Sequence, residues 1–273
     1  MSKKVILITG ASSGMGKESA KALIGQGHTV YTVARRIDQM QDLKNLGGHP
    51  LQMDITVDTD IEKVVNTIVQ KEGKIDVLIN NAGYGSYGAV EDVSIDEARR
   101  QFDVNLFGLA RITQLVLPSM RKNKSGRIVN ISSIGGKIYT PFGAWYHATK
   151  HALEGWSDCL RIETKPFEID VVIVEPGGIK TPWGIIAAEN LKKTSGKGAY
   201  SEKSNNTADN MIKMYSSGKN LSAEDVIAKT IVKAATVRKP KTRYASGYMA
   251  KPIIFMRKLF SDRLFDKMIT SMA

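Results

Sequence analysis

The 273-residue sequence predicts an α/β protein, a doubly wound parallel sheet with helices on both faces. Two observations carry this. Short β-branched runs alternate with amphipathic helical stretches, and strands separated by helices require parallel pairing with right-handed crossovers. A Gly/Ser-rich turn also joins the first strand to the first helix, at the end of the strands where such sheets bind ligands.

In chain order, Val5–Ile8 reads as a buried strand and Gly16–Gly25 as a helix. Thr29–Ala34 follows as a second strand, rich in β-branched residues. Leu51–Asp54 reads as a third strand, Thr59–Lys71 as a helix and Ile75–Ile79 as a fourth strand. One long helix is expected over Asp96–Met120, with Pro118 near its end. Arg127–Ser132 is the fifth strand, His147–Thr164 a helix, Ile169–Val174 the sixth strand and Thr242–Ala245 the last. Residues 177–221, rich in Lys, Ser, Gly and Asn, read as an excursion from the sheet. Ser222, with Asp225 three positions on, reads as a side-chain cap starting a helix. No linker or internal repeat divides the chain, so residues 1–273 are expected to form one domain.

An apolar fraction of 42% and a charged fraction of 24% are ordinary for a globular protein. Cys159 stands alone, which excludes an intramolecular disulfide and suits a reducing, cytoplasmic setting. The basic start Met1-Ser-Lys-Lys leads into an apolar run too short for a signal peptide. No run approaches the roughly 20 apolar residues of a spanning helix. The formal net charge is +12. Much of that excess falls near the C-terminus, where Arg238, Lys239, Lys241, Arg243, Lys251, Arg257, Lys258, Arg263 and Lys267 face only Asp262 and Asp266. Such a run forms a solvated face or meets an anionic membrane surface. Nucleic acid is not expected, because no aromatic-interleaved basic motif or zinc pattern accompanies it.

Gly10, Gly14 and Gly16, with Ser12, Ser13 and Met15 between them, let the backbone turn sharply and approach a pyrophosphate. The helix that follows offers free N–H groups and its positive dipole end to the anion. The spacing departs from G-x-G-x-x-G. After the second strand, where an NAD enzyme places an acid for the ribose hydroxyl, this sequence has Arg35 and Arg36. A guanidinium binds a 2′-phosphate with charge-assisted hydrogen bonds, so NADP(H) is the expected cofactor, with Arg35, the first of the pair, as the better contact.

Tyr146 and Lys150 lie i, i+4 and share one helix face. A fixed ammonium lowers a phenol's pKa and makes it a usable acid or base. Ser133 ends the fifth strand and Asn80-Asn81-Ala82-Gly83 ends the fourth, both where ligands bind.

Taken together and in this order, these motifs resemble the short-chain dehydrogenase/reductase family, from Lys4 to about Val237. Asp54, Asn105 and Pro176-Gly177 add to the match, and the tail with Ala34-Arg-Arg is similar to its 17β-hydroxysteroid and retinol dehydrogenase-like subgroup. Met15 and His147 are minor departures from the family pattern. The resemblance implies a Rossmann-like fold and oxidoreductase activity on a carbonyl or secondary alcohol. It implies that Tyr146 donates the proton, Ser133 hydrogen-bonds the substrate oxygen, and Lys150 lowers the tyrosine pKa and holds the nicotinamide ribose. Asn105 would hold a relay water. Asp54 and Ile55 would lie near the adenine, Asn81, Ala82 and Gly83 would shape the strand end, and Pro176, Gly177, Ile179 and Thr181 would hold the nicotinamide amide. A homodimer or homotetramer is the family habit.

Residues of about 178–220 match the family's substrate lid, with Trp183, Ile185, Ile186, Leu191, Met211, Met214 and Tyr215 as apolar members. No basic side chain there stands out as a carboxylate clamp, so an apolar small molecule is expected. Tyr84, Tyr87 and Trp145 are further candidates for the pocket. The extension of about 245–273 carries Met256, Phe260, Leu264 and Met268 at helical spacing. It would pack on its own domain or a partner subunit, or attach to a membrane interface. The competing functions are an NAD-dependent alcohol dehydrogenase, which the paired arginines oppose, and a non-catalytic cofactor-binding regulator, which the complete Ser/Tyr/Lys set opposes.

Overall fold

A computed structural model describes residues 2–272. Its seven-stranded sheet consists of β1 (Val5–Thr9), β2 (Thr29–Ala34), β3 (His49–Gln52), β4 (Val77–Asn80), β5 (Gly126–Ile131), β6 (Ile169–Pro176) and β7 (Arg243–Ser246). All neighbours pair in parallel, in the order β3-β2-β1-β4-β5-β6-β7. The order reverses between β1 and β4, which opens a crevice at their carboxyl ends.

Every residue of β1 is buried because helices cover both faces. Side-chain alternation then sorts the apolar residues into two cores. Ile6 and Ile8 point to one face, where Leu23 of α1 (Gly14–Gly25) and Ile227 and Ile231 of α9 (Glu224–Thr236) meet them. Val5 and Leu7 point to the other. There Ile61 and Ile68 of α3 (Asp58–Glu72), Ile112 and Val116 of α5 (Gly108–Lys122) and Leu160 of α6 (Ala144–Thr164) close over them. A short α2 (Gln41–Asn45) sits beside β3.

Several boundaries depart from expectation. The third strand lies two residues early, at His49–Gln52. It is a half-exposed edge that tolerates Pro50, and Asp54 already belongs to the following turn, accepting from the Thr56 N–H at 3.0 Å and its hydroxyl at 2.8 Å. The long helix is not uniform. A π-helical segment, Asp103–Phe107, separates α4 (Ile95–Phe102) from α5. Ser222 does not cap α9: Ala223 is the cap, and the Ser222 backbone instead pairs with the 178–180 segment through Gly178 O and Lys180 N.

The excursion is two helices, α7 (Trp183–Ser195) and α8 (Ser201–Ser217), packed on each other. The Ser204 hydroxyl donates to Ser195 O at 2.6 Å, and the Ser195 hydroxyl accepts from Ala89 N at 2.9 Å, which ties the pair to the loop after β4. The extension is also two helices, α10 (Ala250–Leu259) and α11 (Asp262–Met272), because the chain leaves helical geometry at Phe260. That break rotates the expected stripe. Phe265 and Ile269 are buried, whereas Leu264 is exposed.

Candidate active site

The loop between β1 and α1 takes its shape from glycine. Gly10 and Gly14 have φ of +68° and +60°, a region in which a Cβ costs about 1–2 kcal/mol. At Gly10 a Cβ would also lie 2.7 Å from Ala82 Cα, and at Gly16 one would lie 2.3 Å from Asn81 Nδ2. The crowding comes from a polar staple. Asn81 Nδ2 donates to Thr9 O at 3.0 Å and Gly10 O at 3.1 Å, while the Thr9 hydroxyl accepts from Asn81 N and Ala82 N, both at 3.0 Å. Asn81 and Ala82 thus fix the loop from the neighbouring strand. Thr9, which opens the glycine motif in the sequence, organises this staple, a role that motif spacing alone does not reveal.

At the N-terminus of α1 the Ser13 side chain makes no capping hydrogen bond among the described residues. Its first N–H groups therefore lack a protein acceptor, as an anion site requires. Ser12 is buried and Ser13 exposed. Met15 packs against the core beneath. Of the two arginines it is Arg36, not Arg35, that reaches the loop, donating from Nη2 to Ser12 Oγ at 3.3 Å. Arg35 follows the strand with an exposed side chain, and its backbone oxygen accepts from Gln52. Neighbouring residues at a strand end point to opposite sides, so the second of the pair is the one aimed at the loop.

Ser133, Tyr146 and Lys150 come together at the carboxyl ends of β4 and β5. Ser133 lies just past β5 and accepts from Gly135 N at 3.0 Å. Tyr146 sits in the first turn of α6, one residue before His147. His147 fixes that turn, bonding Gly135 O at 2.9 Å and Thr140 N at 3.0 Å. Lys150 is buried and donates from Nζ to Ile131 O at 2.9 Å.

Burial raises the Tyr146 phenol to about 12, with Ser133 pulling the other way, and it lowers Lys150 to about 8. The expected lowering of the tyrosine by Lys150 is absent in this arrangement. The ammonium is turned to a backbone carbonyl, 6.0 Å from the ring centre, and desolvation prevails.

Asn105 lies in the π-helical segment, fully buried, with every polar atom engaged. Its Oδ1 accepts from Tyr84 N at 3.0 Å, and its Nδ2 donates to Tyr84 O at 2.9 Å and Thr149 Oγ1 at 3.1 Å. Its side chain here holds the loop after β4, rather than standing free for a water. A Cβ added at Gly83 would stand 3.1 Å from Asn105 Oδ1 and 3.7 Å from Lys150 Nζ, so these three residues do converge. Asn80, beside them in sequence, is structural: its Nδ2 donates to Thr113 and Asn130 within the core.

After β3, Asp54 is half-buried and Ile55 packs over Gly108. Beyond β6, Pro176 is buried, and Gly177 N donates to Ser246 O at 2.8 Å. Ile179 is buried and pairs with Ser222, and Thr181 lies half-buried just before α7.

The apolar wall is narrower than the sequence suggests. Tyr87 and Trp183 pack on Tyr146, with ring centres 6.0 Å and 5.2 Å away. Ile186 and Met214 are exposed, and Leu191 is spent on helix packing. Tyr84 turns away, its hydroxyl donating to Glu97 at 3.0 Å. Trp145 also leaves the site. It lines a separate groove of about 420 Å³ with Phe102, Phe107 and Arg99, because adjacent helix residues point about 100° apart.

Behind α6 lies a charge cluster that the sequence did not reveal. Glu154 and Glu175 are buried, with Lys137 Nζ 2.7 Å from Glu154 and 3.9 Å from Glu175. Arg243 of β7 reaches Glu154 at 3.1 Å, Asp158 at 2.6 Å and Glu175 at 3.5 Å. Burial raises the Glu175 carboxyl, its neighbour Glu154 adds to this, and the cations oppose it.

This geometry can be set beside known proteins. A family model described as short chain dehydrogenase matches residues 4–191. A probable short-chain type dehydrogenase/reductase VdlC of Helicobacter pylori is 36% identical over 265 residues, which cover 96% of this chain and 95% of that protein. A 3-ketodihydrosphingosine reductase of Bacteroides thetaiotaomicron is 41% identical over 198 residues, 72% of this chain and 71% of its own. Among solved structures, a variant of actinorhodin polyketide ketoreductase with NADPH matches at a TM-score of 0.64 and 34% identity, covering 70% of this chain and 75% of that one. The family model and these relatives match most of the chain, which belongs to the short-chain dehydrogenase/reductase family, oxidoreductases that interconvert carbonyl and alcohol groups.

Proposed function

We propose that the protein is an NADPH-dependent carbonyl reductase, or its reverse, acting on an apolar small molecule with Tyr146 as the acid/base. The observation that carries this is the convergence of Tyr146, Ser133 and Lys150 beneath Tyr87 and Trp183, at one end of a crevice whose other end is an uncapped helix beside Arg36. The uncapped N–H groups of α1 with Gly10, Gly14 and Gly16 would hold the pyrophosphate. Arg36 and Ser12 would hold the 2′-phosphate, with Arg35 beside them. Asp54 and Ile55 would border the adenine. Asn81, Ala82 and Gly83, with Lys150, would line the ribose, and Pro176, Gly177, Ile179 and Thr181 the nicotinamide. The bound cofactor supplies the hydride.

The rest falls to the chain. Ser133 donates to the substrate carbonyl oxygen and fixes its direction. The neutral Tyr146 phenol, kept protonated by burial, delivers its proton to that oxygen as negative charge develops there. Lys150 resupplies positive charge close to the phenolate so formed. Tyr87 and Trp183 exclude water and favour apolar groups next to the carbonyl. The ketoreductase with NADPH and the 3-ketodihydrosphingosine reductase, both ketone reducers by name, support this reading.

Titration of the purified protein with NADPH against NADH tests the cofactor, followed by turnover of apolar ketones. Tighter NADPH binding with turnover is the expected result. Preference for NADH would redirect the assignment to alcohol oxidation, and binding of neither would remove the catalytic reading. The protein is expected to work as a homodimer or homotetramer in the cytoplasm.

A further inference from the structure

The C-terminal extension has an inner and an outer face of opposite character. Its inner face is fully occupied. Ile253, Phe265 and Ile269 pack with Ile138, and Arg257 lies 5.4 Å from the ring centre of Tyr139 and 5.3 Å from that of Phe265. Tyr139 donates to Asp266 at 2.9 Å, and Ala250 packs beside Gly177. These contacts fix α10 and α11 against residues 134–139, the segment that leaves Ser133, so the extension stands at the site's own end of the sheet.

The outer face of α10 has no use in this packing. Phe255 and Leu259, one helical turn apart, are 62% and 64% exposed. Lys251, four residues before Phe255, and Lys258, three after it, flank the same face and are exposed. Leu264 of α11 is 49% exposed, between Arg263 and Lys267. Among the described residues, Lys251, Arg263 and Lys267 form no ion pair. An apolar ridge edged by unneutralised cations is complementary to one surface in particular, apolar beneath and anionic on top. No described helix is long and apolar enough to cross a membrane, so contact would be from one side.

We propose that this face of α10, with Leu264 and its flanking cations on α11, docks the protein on bilayers that carry anionic lipid headgroups. Phe255 and Leu259 enter the headgroup layer, and Lys251, Lys258, Arg263 and Lys267 meet the negative charge above it. The inference is independent of the cofactor and of the reaction catalysed.

The test is co-sedimentation of the full chain with vesicles of phosphatidylcholine alone and with vesicles in which about a third is phosphatidylserine. The protein should pellet with the anionic vesicles, release as salt is raised, and stay in solution with phosphatidylcholine. A Phe255→Glu/Leu259→Glu double variant should lower binding by about tenfold or more while keeping its circular dichroism and melting temperature. Lys251→Glu should weaken it by a smaller factor. Failure to pellet with anionic vesicles, or equal pelleting of variant and parent, overturns the proposal. So does a loss of dimer mass in the double variant with unchanged vesicle binding, which would identify a second copy as the occupant.

Discussion

The two walls of the active-site crevice are built by different physics. On the β1–α1 loop side, backbone meets backbone, Gly10 against Ala82 and Gly16 against the Gly10 carbonyl, and the Asn81 amide and Thr9 hydroxyl hold the two strand ends together. On the lid side, side chain meets side chain: Trp183 against Tyr87 and Tyr146, and Gly184 beneath the Tyr215 ring. A ring can turn aside and a strand end cannot. The first wall suits a ligand of fixed shape, and the second suits substrates that differ, which is how one scaffold keeps its cofactor end while its substrate end diverges.

Tyr146 packs against the lid wall and carries the proposed proton transfer, so its substitution has the largest effect. Tyr146→Phe should lower turnover about 10²–10⁴-fold, with cofactor affinity nearly unchanged in a binding titration. Unchanged turnover would remove the tyrosine from the mechanism. Next, Gly10→Ala should cost about 2–4 kcal/mol in denaturant unfolding, since positive φ and the Ala82 contact add. Gly184→Ala, against a movable ring, should cost less; equal costs would break the comparison of the walls. Arg36→Ala should weaken NADPH by about ten- to a hundredfold and leave NADH nearly as it was. If Arg35→Ala does this instead, the contact with Ser12 is not the cofactor contact. Trp183→Ala should raise KM for apolar ketones by about tenfold with little change in cofactor binding.

The smallest effect is on pH. Lys150 is charged below about 8 and loses its proton above it, so the reduction rate should be halved near that pH and fall further as pH rises. A rate that stays flat to pH 10 would show that the ammonium charge is not required.

The phosphate wall was legible in the sequence because its features are local. Glycine spacing, a buried strand and two arginines lie within a few residues of one another. Choosing between Arg35 and Arg36 needed the direction of each side chain, which spacing does not give. The Tyr146 and Lys150 pair stood out only beside Ser133 and Asn80–Gly83, since i, i+4 spacing alone is common in helices, and the turn of Lys150 toward Ile131 depends on tertiary burial. The lid was poorly legible. Segment 201–210 has few apolar residues, and α8 persists there through packing on α7 rather than through its own pattern. The π-helical turn at Asn105 and the break at Phe260 carry no glycine or proline signal. Trp145 shares the tyrosine's neighbourhood in sequence but not in space.

The cluster of Glu154, Glu175, Lys137 and Arg243 bears on how the chain is made. Synthesis delivers both carboxylates well before Arg243, and α9, which seals the core over β1, arrives only shortly before it. A nascent chain that stops short of β7 therefore has two buried acids with only Lys137 to balance them, behind the helix that bears Tyr146 and Lys150. Leaving a buried charge unpaired costs about 3–5 kcal/mol, a large part of a domain's stability. The helix that bears Tyr146 and Lys150 is thus secured late in synthesis, when Arg243 of β7 reaches Glu154 and Asp158.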